Sequence, residues 1–306
     1  MRTSPLVAAA VLPLTLAACS ARDRPPILTS NDGTESGDTG SRTPGTPAPD
    51  DAGLLGNVGA SDCTPEATNY VYLLDAQTHF HQFDPAALTV TDLGPLHCPG
   101  ASGVPYSMAV RRDGVAFSVF TDGSFHAFDV TTLNCQNLTF ASRPAGFTNF
   151  GMGFATDGAS TSETLYVSSA PPSGEAGMLG KIDPATMTLT SIGAYTIPGR
   201  AELTGTGDGR LFGAFEGQPY VVAQIDESSA TIVSQAPQAD VSAAPFQSNF
   251  AFAFWGGVFW LFFGQGGPTD FFVYDPATGT TTKALSVNAE IVGAGVSTCA
   301  PTSMPH

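Results

Sequence analysis

The side chains best equipped for chemistry in this chain lie far apart: Tyr106, Asn149, Arg200, Glu202, Asn249 and Glu290. Brought together, two carboxylates and two amides would offer hard oxygen ligands, the donor set that suits calcium. Two carboxylates flanking a bond could instead share acid and base roles in hydrolysis. Other chemistries find less support. There is no G-x-S-x-G elbow, and His79, His81, His97, His126 and His306 stand in no recognisable triad context. Neither H-E-x-x-H nor C-x-x-C occurs, which argues against zinc. EF-hand-like runs and both glycine-rich nucleotide fingerprints are also missing. The six candidates therefore matter only if the fold gathers them.

A repeated turn supplies the means. Tyr274-Asp275-Pro276-Ala277-Thr278-Gly279 has four earlier counterparts, at Phe83-Asp84-Pro85-Ala86, Phe128-Asp129-Val130-Thr131, Ile182-Asp183-Pro184-Ala185 and Ile225-Asp226-Glu227-Ser228. The aspartates stand 43 to 54 residues apart. The residue before each is Phe, Ile or Tyr, and the residue four before is apolar: Phe80, Phe125, Leu179, Val222 and Phe271. Upstream of most copies lies a second turn, at Asp113-Gly114, Asp157-Gly158, Asp208-Gly209 and Gly256-Gly257. Asp can cap its own turn and Pro presets the next φ, so each unit reads as four short strands joined by tight reversals. No helical period follows the first twenty residues. The pattern resembles the broad β-propeller superfamily over the whole region after residue 60, with the "DPxTG" turns common in its bacterial members. The resemblance implies an all-β propeller.

The ends of the repeat set the blade number. Strands expected at Thr68–Leu74, Thr78–Phe83 and Leu88–Leu93 form a first unit that lacks its innermost strand. After Asp275 come one outer strand, Thr280–Leu285, and a segment whose Gly293–Cys299 aligns in register with Gly151–Asp157. That orphan strand and the incomplete first unit make one blade, so the ring closes with five four-stranded blades. Six is the alternative, should a degenerate blade hide in the 54-residue interval. The aromatic runs Phe250–Trp255 and Phe259–Phe263 read as a hairpin buried on both faces, being too short to span a bilayer as a helix. His81 and His126 share a repeat position, but third strands of neighbouring blades stand too far apart to share an ion.

In a propeller, function gathers where loops lead into the innermost strands around the central channel. Tyr106, Asn149, Arg200, Glu202, Asn249 and Glu290 fall at those places. The Glu and Asn content is similar to the metal site of gluconolactonase-like propellers, although those have six blades. Five-bladed glycosidases offer another likeness, but they need an inward aspartate that is missing beside Glu202 and Glu290. Two readings result: a ligand-binding or protein-interaction module, for which no cofactor is expected, and as the alternative a cation-dependent hydrolase of lactones or sugars, for which calcium is the candidate ion.

The termini and composition speak of place. Residues 1–18 have the layout of a secretory signal, with Arg2 before an apolar core. Leu16-Ala17-Ala18-Cys19 resembles the lipobox of bacterial lipoproteins, which implies diacylation of Cys19 and, with Ser20 next, the outer membrane of a two-membrane bacterium. Residues 19–60 are rich in Pro, Gly, Ser, Thr and Asp and read as a disordered tether. The propeller is expected over 61–301, with 302–306 as a tail. A formal charge of −16 and only two lysines, Lys181 and Lys283, argue against nucleic acid. The expected partners are the membrane, through the lipid, and an envelope protein or glycan. Cys63, Cys98, Cys135 and Cys299 remain, an even count in an exported chain, with three possible pairings. Cys299 follows the orphan strand and Cys63 precedes the strand that must pair with it, which favours Cys63–Cys299 and leaves Cys98–Cys135. The rivals are Cys63–Cys98 with Cys135–Cys299, and Cys63–Cys135 with Cys98–Cys299.

Overall fold

The computed structural model describes residues 63–158, 160–239, 241 and 249–305. The signal at 1–18, Cys19 and the tether at 19–60 lie outside the described residues. One helical turn, α1 (Pro65–Asn69), precedes the first strand. Thr64 caps it by accepting from the Ala67 N–H at 3.2 Å, and Pro65 begins it with a preset φ. This corrects the expectation of strand from Thr68 and of no helix. A single turn is too short to show a period.

The strands follow in chain order: β1 (Val71–Asp75), β2 (His79–Asp84), β3 (Thr89–Pro95); β4 (Pro105–Val110), β5 (Val115–Phe120), β6 (Phe125–Asp129), β7 (Cys135–Leu138). Next come β8 (Phe150–Thr156), β9 (Glu163–Ser169), β10 (Ala176–Asp183), β11 (Thr188–Pro198), then β12 (Ala201–Gly205), β13 (Leu211–Phe215), β14 (Tyr220–Ile225), β15 (Ile232–Gln238). The last are β16 (Asn249–Trp255), β17 (Val258–Gly264), β18 (Thr269–Asp275), β19 (Thr280–Val287) and β20 (Ile291–Gly295). They form five antiparallel sheets of four: β20-β1-β2-β3, β4 to β7, β8 to β11, β12 to β15 and β16 to β19. The first strands of the sheets, β20, β4, β8, β12 and β16, neighbour one another in a closed cycle. The chain is a five-bladed β-propeller.

The repeated aspartates hold the outer turns as their spacing requires. Asp84 Oδ1 accepts from the Ala86 and Ala87 N–H groups at 2.9 Å each, and Asp129, Asp183, Asp226 and Asp275 do the same two residues on. Each turn ends four residues after its aspartate in a left-handed residue: Leu88, Leu133, Met187, Ala230 and Gly279. Only the fifth copy uses glycine, the residue that adopts this conformation without strain.

Apolar burial lies between the blades. Five separate clusters each join two neighbouring sheets, as with Phe117, Phe125, Phe150 and Phe154 between the second and third blades. The aromatic hairpin divides as its alternation demands. Ala251, Ala253, Trp255, Trp260 and Phe262 face the first blade, while Phe250, Phe252, Phe254, Phe259 and Phe263 face the fourth. At about 1.5–3 kcal/mol for each large apolar side chain removed from water, these interfaces dominate the gain in free energy. The innermost strands run so close that side chains are excluded in places: a Cβ on Gly151 would collide with the Ala201 carbonyl.

The seam lies in the first blade. β20 pairs antiparallel with β1, matching Tyr72 with Gly295 and Leu74 with Gly293. Beside it the Cys63–Cys299 disulfide joins positions 236 residues apart, with Cα atoms 5.8 Å apart. Cys98–Cys135 ties the β3–β4 connection to β7. The segment after Cys299 continues onto the neighbouring fifth blade, where the Pro301 carbonyl accepts from Gly256 N–H at 2.8 Å.

Two outcomes are expected. Replacing Cys63 and Cys299 together by serine should destabilise the fold by up to about 5 kcal/mol, more than the same change at Cys98 and Cys135, whose loop is shorter. Denaturant titration of the two double variants checks the order. Leu88→Gly should raise stability by about 0.5–1 kcal/mol, because Leu88 is exposed and its left-handed backbone costs more than the extra unfolded-state freedom of glycine. The same titration reads it.

Candidate functional site

The β-sheet ends fix where the six candidates sit. Asn149, Arg200, Asn249 and Glu290 stand where the chain turns into β8, β12, β16 and β20, and Tyr106 is the second residue of β4. All five belong to one face of the ring. Glu202 lies deeper, inside β12, and is buried.

Each makes its own hydrogen bonds. Asn249 Nδ2 donates to Glu290 Oε1 at 2.6 Å, coupling the last two inner strands at the channel mouth. The Asn149 amide nitrogen is placed to donate to the Phe120 and Thr148 carbonyl oxygens, 3.1 Å each. In the ring interior, Ser107 Oγ donates to Glu202 Oε2 at 2.6 Å and accepts from the Met152 N–H at 3.1 Å. One carboxyl thereby links β4, β8 and β12 across the axis. Further along β12, Thr204 Oγ1 accepts from Phe254 N–H of the next inner strand, β16, at 3.0 Å. Asn249 and Glu290 thus pair with each other at the channel mouth, while Asn149 bonds to backbone carbonyls and Glu202, deeper inside, to Ser107.

Burial dominates the electrostatics of Glu202. It pushes the carboxyl up to about 8, against the opposing hydrogen bond from Ser107 and the charge of Arg200. At neutral pH the group holds its proton. Glu163, at the opposite face, behaves alike: burial raises it to about 7 while it accepts from Arg112 N–H and Thr298 Oγ1 at 2.8 Å each.

Arg200 opens onto the concave surface of this face. A groove of about 780 Å³ lies between the third and fourth blades, lined by Pro171 and Ser173, by Ile197 to Arg200, and by Phe215 to Val221. Arg200 Nε donates to Glu216 Oε2 at 2.7 Å, and its guanidinium lies over the Phe250 ring at 4.9 Å. The cation is therefore held at fixed position with its charge matched by a partner. Gly199 adopts φ +100° and passes against Glu216, where a Cβ would strike the carbonyl oxygen. Tyr220 forms the far wall, packed edge-on against Phe250 and Phe263 with centroids 5.5 and 4.6 Å away. Burial pushes its phenol well above the ordinary range, so it stays neutral.

Of these groove residues the sequence pointed only to Arg200. Glu216, Tyr220 and the 170–175 loop were not singled out. Their signal was the Pro and Gly in "APPSGE" and "EGQP", which mark second-to-third strand loops on the same face as the inner-strand ends. His81 and His126 do share the third strand of their blades but serve different ends. His81 Nε2 bonds buried Asp75 Oδ2 at 2.9 Å, whereas His126 Nε2 meets Ser124 Oγ at 2.9 Å.

No family model matches the chain, and no curated protein matches it. Among solved structures, one in the nidogen/laminin complex aligns with a TM-score of 0.47 at 11% identity, over 75% of this chain and 81% of that one. TolB from Acinetobacter baumannii aligns at 0.42 with 14% identity, over 72% of this chain and 54% of that chain. YCF48 bound to D1 peptide aligns at 0.36 with 16% identity, over 70% and 63% respectively. At such identities the likeness concerns fold alone. Among the described residues, no helix is long and apolar enough to cross a membrane.

The proton on Glu202 has a measurable consequence. A carboxyl that binds its proton more tightly folded than unfolded contributes stability at low pH, and loses it as pH rises from 4.5 through about 8. Wild-type stability should therefore fall across this window. Glu202→Gln keeps a hydrogen-bonding partner for Ser107 without the ionisation, and should flatten the fall by about 2 kcal/mol, allowing half of the full shift. Melting curves of both proteins from acid to mildly alkaline pH measure the difference.

Proposed function

We propose that this chain is an exported envelope lipoprotein, anchored through Cys19, whose propeller is a ligand-binding module. The groove between the third and fourth blades is its binding place. The observation that carries this reading is the groove itself: an open cavity of about 780 Å³ with a fixed cation–carboxylate pair at Arg200 and Glu216. Apolar and proline-rich walls with a few oriented polar groups are the usual makeup of a ligand site, and this volume falls within the usual range. The exposed backbone of the 171–174 and 217–219 loops suits an extended, largely uncharged segment of an envelope protein, with a glycan as the alternative ligand. The tether of residues 19–60 would link the propeller to the lipid. The lipobox resemblance at Leu16–Cys19 supports the anchoring.

A photo-crosslinking residue placed at Ser173 in living cells, with one at Asp208 on the opposite face as control, tests the binding place. A discrete adduct from position 173 that Arg200→Ala weakens, with none from position 208, is the expected result. Equal adducts from both positions would remove the groove from consideration. Cys19→Ala should shift the protein to the soluble fraction and end fatty-acid labelling. Persistent labelling of that variant would overturn the anchoring.

A further inference from the structure

The Cys98–Cys135 disulfide lies over a histidine that has no obvious task. A ring nitrogen of His126 and the two sulfurs all lie within 4.8 Å of one another. Three separate elements bring them together. Cys98 comes from the β3–β4 connection, His126 from β6 and Cys135 from the start of β7. Because these ligands are dispersed in sequence, no zinc-type spacing announces them.

The histidine is the unusual member. It is fully buried, and its Nε2 is satisfied by Ser124 Oγ at 2.9 Å. Its Nδ1 is buried with no hydrogen-bond partner. An orphaned buried ring nitrogen is destabilising, so an isosteric apolar residue would serve packing better. Phe120 stands edge-on to the ring at 5.0 Å, and Phe128 packs in the same interface. Burial lowers the basicity of the imidazole, which favours the neutral form with a free lone pair. The sulfurs differ in access: Cys98 and Cys135 are only partly buried, so a reductant can reach them.

We propose that the Cys98–Cys135 disulfide caps a latent Cys2His site, which on reduction binds a thiophilic divalent cation of the zinc class. The balance is simple. An external dithiol gives two electrons and two protons to the disulfide and becomes a disulfide itself, leaving two thiols here. The cation then displaces two protons, forming two metal–thiolate bonds and one bond to the lone pair of His126. Water or a partner's side chain completes four-coordination. In an oxidising compartment the site stays shut, and it opens only where a dithiol reductant operates. The ring keeps its closure throughout, because the β1–β20 ladder and the cluster between the first and fifth blades do not involve these residues.

Cobalt(II) is a suitable probe, since thiolate ligation gives an intense charge-transfer band. The intact propeller is reduced with a phosphine under native conditions and titrated with cobalt(II). One equivalent should bind with that band, and the oxidised protein should show none. The C98S/C135S variant should lack the band even after reduction, which separates these thiols from those of Cys63 and Cys299. His126→Phe should weaken binding at least tenfold. Should that variant fail to fold, the 15N shifts of the His126 ring in the wild-type protein on zinc addition give the same answer. No band in the reduced protein, an equal band in C98S/C135S, or His126 shifts that ignore zinc would each overturn the proposal.

Discussion

Everything in this molecule depends on one pairing between chain ends, β20 against β1. Until Gly293 to Gly295 lie beside Tyr72 to Leu74, the first blade has no inner strand and the cycle of five inner strands is open. Such a contact is the most expensive in loop entropy, because nearly the whole propeller must be ordered before it forms. The Cys63–Cys299 link adjoins it, and the chain beyond continues onto Gly256, so the seam is fastened on two blades at once. The inter-blade clusters then convert closure into stability, since the face each sheet turns toward the seam is covered only when the ring is complete.

Closure also determines the character of the interior. Five blades leave a narrow axis, and the inner strands meet it with glycine where backbone approaches backbone. Glu202 is a carboxyl placed in that space, hydrogen-bonded to Ser107 and too buried to hold a charge near neutral pH. The candidate acid Glu202 thereby joins β12 to β4 inside the ring. At the edge between blades on this face, Arg200 is fixed by Glu216 and Phe250 beside a concave surface.

The four-stranded repeat, the turn chemistry and the five-blade ring were all legible because each is local and periodic. Asp at a fixed place can satisfy N–H groups two residues on wherever it occurs, and five copies of that turn expose the period. The Cys63–Cys299 pairing was legible for the same reason, since it follows from which strand the first unit lacks. The single turn at Pro65–Asn69 was not legible, being shorter than any period, although Thr64-Pro65 is a capping pair in retrospect.

What the residues by themselves determined is therefore the blade, its turns and the need for a strand from the far end to close the ring. Alternating apolar residues and self-capping turns act within reach of their neighbours, so sequence is enough to define them. What only the tertiary structure decided is which polar groups share a site. The 170–175 loop, Arg200, Glu216, Tyr220 and Phe250 meet because blades three, four and five adjoin at particular angles. Cys98, His126 and Cys135 meet because a connection, a third strand and an outer strand come together at one interface. Those juxtapositions depend on the rotation between blades, a quantity carried by packing across the whole ring and by no local stretch of the chain.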